Sequence, residues 1–158
     1  MSVRVRLATY SDIPTLVELT REHIEASNYA GMRFDPDIMR DTFVRFIDEE
    51  NRTCLLVEDQ DNRTIGYTGG WVGQAMFGPD ITANEEIFLV RQDERGQLVP
   101  AKRLVHAFCR WAAGWGAKRI TFGNSAGIVR DEAYVRFFER YGFRRAGSIM
   151  FLEVNHGW

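Results

Sequence analysis

From Glu86 to Phe143 the chain strings together a strand, a basic glycine-containing turn, a long amphipathic helix, a short strand and a second helix. This order restricts the fold more than any other stretch. Glu86-Ile87-Phe88-Leu89-Val90 reads as a buried strand, and Arg91 to Pro100 (Arg-Gln-Asp-Glu-Arg-Gly-Gln-Leu-Val-Pro) as a turn. Ala101 to Trp115 carries one apolar face at helical spacing. A strand that empties into a helix N-terminus beside Arg95 and Gly96 brings unpaired N–H groups, a positive dipole end and a cation together, which suits a phosphate group.

The flanking segments fill out a mixed α/β pattern. Val3 to Ala8 alternates as a strand. Ser11 is expected to cap a helix with Pro14 in its first turn, running to about Ser27. Asp35-Pro36 starts a second helix, cap then proline, which buries Met39, Phe43, Phe46 and Ile47 and ends near Glu50. Thr53 to Glu58 and Thr64 to Val72 form a hairpin about Asp61-Asn62-Arg63. Gly69 and Gly70 weaken its second strand or mark a bulge. Gly73 to Asn84 reads as an aromatic loop holding Phe77, Pro79 and Asp80. Lys118 to Phe122 is a strand, Asp131 starts a helix carrying Tyr134, Phe137, Phe138 and Tyr141, and Ser148 to Val154 is the last strand. The order is β-α-α-β-β-β-α-β-α-β, expected as one domain over residues 1–158.

Composition narrows the function classes. With 45% apolar and 27% charged residues the chain is that of an ordinary globular protein. A formal net charge of −2 argues against nucleic acid, which needs a clustered basic face. No apolar run reaches the roughly 20 residues of a membrane span, and the Met-Ser-Val-Arg-Val-Arg start has no export signal, so a cytoplasmic location is expected. Cys54 and Cys109 lie in apolar contexts with no CxxC or paired histidines, so free thiols and no metal are expected.

The element order resembles the GNAT superfamily, the GCN5-related N-acetyltransferases, along nearly the whole chain. The resemblance implies a central mixed sheet flanked by helices and acetyl-CoA as co-substrate, with direct acetyl transfer to the primary amine of a small molecule or protein. The family's pyrophosphate turn reads Arg/Gln-x-x-Gly-x-Gly/Ala. Here it is met by Arg95-Gly96-Gln97-Leu98-Val99-Pro100, leading into Ala101, with Leu98 and Pro100 in place of the usual small residues. Pro100 has no N–H, so one donor is lost. The altered turn is similar to that of a branch frequent in phage and phage-like genomes. By the same resemblance the backbone of Phe88, Leu89 and Val90 pairs with the pantetheine arm. A Leu89 or Val90 amide then polarises the thioester carbonyl. Asn124 contacts the cofactor. The family's closing tyrosine is replaced by Phe138, leaving Tyr141 and Tyr134 as neighbouring acids.

A base is needed because an alkylamine of pKa about 10.4 is neutral only about once in 2,500 at pH 7. Glu85 and Glu86 open the central strand on opposite faces. Glu86 shares parity with Phe88 and Val90 and is favoured, Glu85 being second; a bulge in this strand would invert the choice. Trp71 and Phe77 are pocket candidates, and the acceptor is expected to be read by residues 24 to 40 and 71 to 84. The last strand is the piece expected to pair or swap in a homodimer. The competing reading is a CoA-binding module with little catalysis, motivated by Leu98, Pro100 and Phe138.

Overall fold

The structure, a computed structural model, describes residues 2–91 and 98–154. Five strands form a mixed sheet in sequence order: β1 (Arg4–Leu7), β2 (Arg52–Glu58), β3 (Thr64–Gln74), β4 (Ile81–Val90) and β5 (Arg119–Thr121). The first three junctions are antiparallel, and β4 pairs with β5 in parallel. Helices α1 (Ile13–Glu25) and α2 (Pro36–Asp48) pack on one face. Helix α3 (Leu98–Gly114) covers the other, and α4 (Asp131–Glu139) follows β5.

β2 explains why the sheet is buried on both sides. Its residues alternate between two cores: Cys54 and Leu56 under α1 and α2 with Leu16, Phe43 and Tyr67, and Leu55 and Val57 under α3 with Ile65, Leu104 and Phe108. A strand covered on both faces reads as a continuous apolar run. Each fully buried large side chain contributes about 1.5–3 kcal/mol.

The helix starts follow local chemistry. The Asp35 carboxylate accepts the N–H groups of Asp37 and Ile38 at 2.9 and 3.2 Å, with Pro36 as first helical residue. Ser11 does not cap α1 as expected; its hydroxyl meets that of Thr9, and the chain enters through a 3-10 turn, Tyr10–Asp12. Asp12 instead accepts the Thr9 N–H and binds Arg6, which also grips the buried Glu58. The Arg6 guanidinium, offset by some burial, holds the Asp12 carboxyl down at about 2.

Other boundaries shift. β4 begins at Ile81 rather than Glu86, and β3 runs on to Gln74, so the expected loop shrinks to residues 75–80 with Phe77 exposed at its tip. α3 begins at Leu98, so Pro100 lies buried in its first turn. α4 ends at Glu139, leaving Tyr141 in the turn beyond. The expected last strand is absent: residues 148–154 carry no strand pairing, and Met150, Phe151 and Leu152 are 88%, 67% and 65% exposed. β5 contributes only three residues and pairs with β4 alone, so the tail has no paired partner beside it.

Candidate functional site

The site is organised by one extra residue in β4. Gly69 of β3 stands opposite Ile87 and Gly70 opposite Glu85, so Glu86 is a bulge. The two glycines permit the close approach. A Cβ on Gly70 would lie 2.3 Å from the Asn84 carbonyl oxygen and 2.9 Å from the Phe108 ring. The bulge reverses the strand's parity. Before it, Ile81 and Ala83 pack in the core under α3; after it, Ile87 and Leu89 pack toward α1 and α2.

Backbone groups reverse with the side chains. Ile81 accepts from Lys118 N–H on the β5 side, whereas beyond the bulge Ile87 accepts from the Thr68 hydroxyl and Arg91 N–H donates to Ile65, both on the β3 side. Alternation therefore turns the amide of Phe88 toward the opposite edge. Among the described residues no strand pairs with that edge beyond Asn84 and Thr121. The two parallel strands part there, leaving a splay.

Glu85 sits at the point of parting. Its carboxylate accepts the Gly123 N–H at 3.2 Å. Burial pushes its pKa up to about 7, helped by the neighbouring charge of Glu86 and opposed by the Gly123 bond. Glu86 is differently placed: 39% exposed and paired with Arg52 at 2.9 Å, which also binds Glu49 at 2.7 Å. The Tyr134 hydroxyl donates to the Gly123 carbonyl at 3.0 Å, so one residue, Gly123, links Tyr134 to Glu85. Burial, then the charges of Glu85 and Asp131, raise the Tyr134 phenol far above its ordinary value, and it stays protonated.

Two cavities meet at Gly123. One, of about 490 Å³, lies between α1, the α1–α2 loop, α2 and β4, with Glu85 and Glu86 in its wall. Its roof is tied down: Asn28 N–H donates to Ala126 and the Asn28 amide to Ser125. The other, a wide cleft of about 1200 Å³, runs along β5, α4 and the tail, and includes Gly123, Asn124, Tyr134 and Phe138.

A family model described as Acetyltransferase (GNAT) matches residues 17–143. The chain belongs to the GNAT acetyltransferase family. Solved structures share its fold at low identity. A transcriptional regulator from Bacillus halodurans C-125 superposes with a TM-score of 0.76 at 16% identity over 97% of this chain and 100% of that one. Glucosamine-6-phosphate N-acetyltransferase from Arabidopsis thaliana gives 0.74 at 12% over 98% and 100%. AAC(6')-Iy, in complex with the bisubstrate analogue CoA-S-monomethyl-acetylneamine, gives 0.74 at 15% over 98% and 99%. No curated protein matches the sequence.

In this acetyltransferase the expected residues divide into groups. Glu85, Glu86 and Phe88 line the smaller cavity. Leu89 is buried with its amide on the β3 side, by the parity above. Phe138 is 5% exposed among the rings of Phe88, Phe122, Tyr134 and Phe143, with centroids 4.6–6.1 Å away. Asn124 donates to the Val129 carbonyl and braces its own loop. Tyr141 packs on His106 and Phe137 and lines neither cavity. Leu98 and Val99 are exposed at the start of α3. Arg95, Gly96 and Gln97 lie outside the described residues. Of the acceptor segments, the one over residues 24 to 40 contributes to the cavity through Ile24, Tyr29, Met32, Phe34, Ile38 and Met39, whereas Trp71 and Phe77 do not line it. Sequence reasoning missed Gly123, whose N–H holds Glu85, and Arg52, which holds Glu86. The glycine pair in β3 was the signal for the bulge that arranges both.

Among the described residues no cluster of His, Cys, Asp or Glu could hold a metal ion, and no helix is long and apolar enough to cross a membrane.

Proposed function

We propose that this enzyme moves an acetyl group from acetyl-CoA directly to a primary amine, with Glu85 as general base. The observation that carries the proposal is Glu85 itself: a carboxylate with a pKa of about 7, held by the Gly123 N–H where β4 and β5 part, in the wall of an amine-sized cavity. A base poised near the working pH is the most effective one. The condition for preferring Glu85 to Glu86, a bulge in this strand, is met.

The residues present fit acetyl-CoA. The open edge of β4 can pair with an extended arm, and the first turn of α3 offers N–H groups to phosphate, Pro100 excepted. Arg95, Gly96, Gln97, Leu98, Val99 and Ala101 are proposed for that turn. When bound, acetyl-CoA supplies the activated thioester. The Phe88 amide faces the edge where its carbonyl oxygen would gain charge; one such aimed donor contributes about 3 kcal/mol. The amine nitrogen forms the new C–N bond, its proton passes to Glu85, and the C–S bond breaks. A thiol of pKa about 8.5 leaves as thiolate without an obligatory acid. Tyr134, neutral and bonded to the Gly123 carbonyl, positions the residue whose N–H holds Glu85; Tyr141 is assigned to packing.

Calorimetric titration with acetyl-CoA, beside Arg95→Ala, tests the cofactor half. Release of free thiol in the presence of an amine panel tests the transfer. Pro100 and Phe138 favour one alternative, a CoA-binding module with weak catalysis, which predicts tight binding without thiol release.

The expected homodimer rests on the tail. Two copies exchanging residues 148–154 along the open edge of β5 would cover Met150, Phe151 and Leu152. Sedimentation of the full chain and of a chain ending at residue 147 tests this; a monomer in both refutes it.

A further inference from the structure

We infer that the acceptor is an amine with an apolar, ring-sized body rather than a polyhydroxylated amino sugar. The inference rests on the transfer reading above and names the substrate class of that site. The walls of the 490 Å³ cavity are built largely from Ile24, Tyr29, Met32, Phe34, Ile38 and Met39. Three of these carry much of their apolar surface in water at the mouth: Met32 is 69% exposed, Ile38 68% and Tyr29 36%. Such a rim is stabilised when an apolar body covers it.

Several of the polar groups in the same walls are already committed. The Thr20 hydroxyl bonds the Leu16 carbonyl and the Tyr67 hydroxyl. The Thr42 hydroxyl bonds the Ile38 carbonyl, and the Asp35 carboxylate caps α2. Glu86 is paired with Arg52. A polyhydroxylated acceptor would leave some of its hydroxyls without partners here, which weakens its binding. Glu85 supplies a negative end for the amine, while Asp35, Glu86 and Arg33 share the same wall.

The test compares 2-phenylethylamine, glucosamine and kanamycin as acceptors, in wild type and in Ile38→Asp. Ile38 is exposed at the start of α2, where an added carboxylate suits the helix dipole, so the variant should fold. For wild type, kcat/KM for 2-phenylethylamine should exceed that for glucosamine by about 100-fold, the scale on which a hydrophobic pocket discriminates. Ile38→Asp should lower the former about tenfold while the KM for acetyl-CoA is unchanged. Calorimetric binding of each amine to the CoA-loaded protein separates the two readings. Preferential binding of 2-phenylethylamine without transfer sinks the transfer reading and supports the acceptor class. Equal or better use of glucosamine or kanamycin, an unchanged preference in Ile38→Asp, or no binding of 2-phenylethylamine overturns the acceptor class.

Discussion

Residues 81–84 of β4 lie beside strands on both edges; among the described residues, residues 87–90 pair with one strand. The first half is ordinary sheet. The second presents an edge to the splay and shows the opposite parity to the cores above and below. Between them stand two adjacent glutamates with unlike surroundings. Glu85 is drawn into the gap and held by Gly123; Glu86, the extra residue, is turned to Arg52 and solvent. One inserted residue thus opens a strand edge and raises one carboxyl of a pair.

The comparison is broken most severely by exchanging the carboxyls for amides. Glu85→Gln should lower kcat by about 10²–10⁴-fold, the usual reach of a general base. Glu86→Gln should change it at most about fivefold, the effect of losing an exposed ion pair. Steady-state rates with a saturating amine decide between them.

A second break acts on the bulge. Gly70→Ala drives a methyl into the Asn84 carbonyl and the Phe108 ring and should destabilise the fold by about 1–3 kcal/mol. Gly69→Ala meets only the Phe46 ring and should cost less. Thermal unfolding of both variants measures the difference.

A third sharpens the picture through pH. The Glu85 carboxyl has a higher pKa folded, about 7, than its ordinary 4.5. The folded state therefore binds the proton more tightly. Stability should fall as pH rises from about 4.5 through about 7. Glu85→Gln should remove that part of the slope, read as denaturation midpoints against pH. Asp12 works in the opposite sense: held down at about 2 by Arg6, it contributes stability that is lost as pH falls below 3.8.

The smallest effect is expected from Arg52→Ala, which releases Glu86 and Glu49 and removes the cation over the Phe46 ring. About 1 kcal/mol of stability and little activity should go with it.

Much of the fold is legible in the residues. Asp35-Pro36 states a helix start outright, and the apolar run of β2 announces a strand buried on both faces. The family order from Glu86 to Phe143 was readable for the same reason: each element carries its own periodicity. The site was less so. Parity along β4 favoured Glu86, because a strand read alone has no bulge; the register comes from pairing with Gly69 and Gly70, a contact between distant residues. Tyr141 looked placed for catalysis by sequence distance from Phe138, but α4 ends at Glu139 and the chain turns it onto His106. The tail reads as a strand because strand propensity is local, whereas pairing needs a neighbour.

The most direct test of the central claim is the pH dependence of kcat/KM for amine acetylation in wild type, Glu85→Gln and Glu86→Gln. The account predicts a rate that rises through an apparent pKa near 7 in wild type and in Glu86→Gln, and loses that limb in Glu85→Gln. A limb that survives in Glu85→Gln and disappears in Glu86→Gln would contradict it.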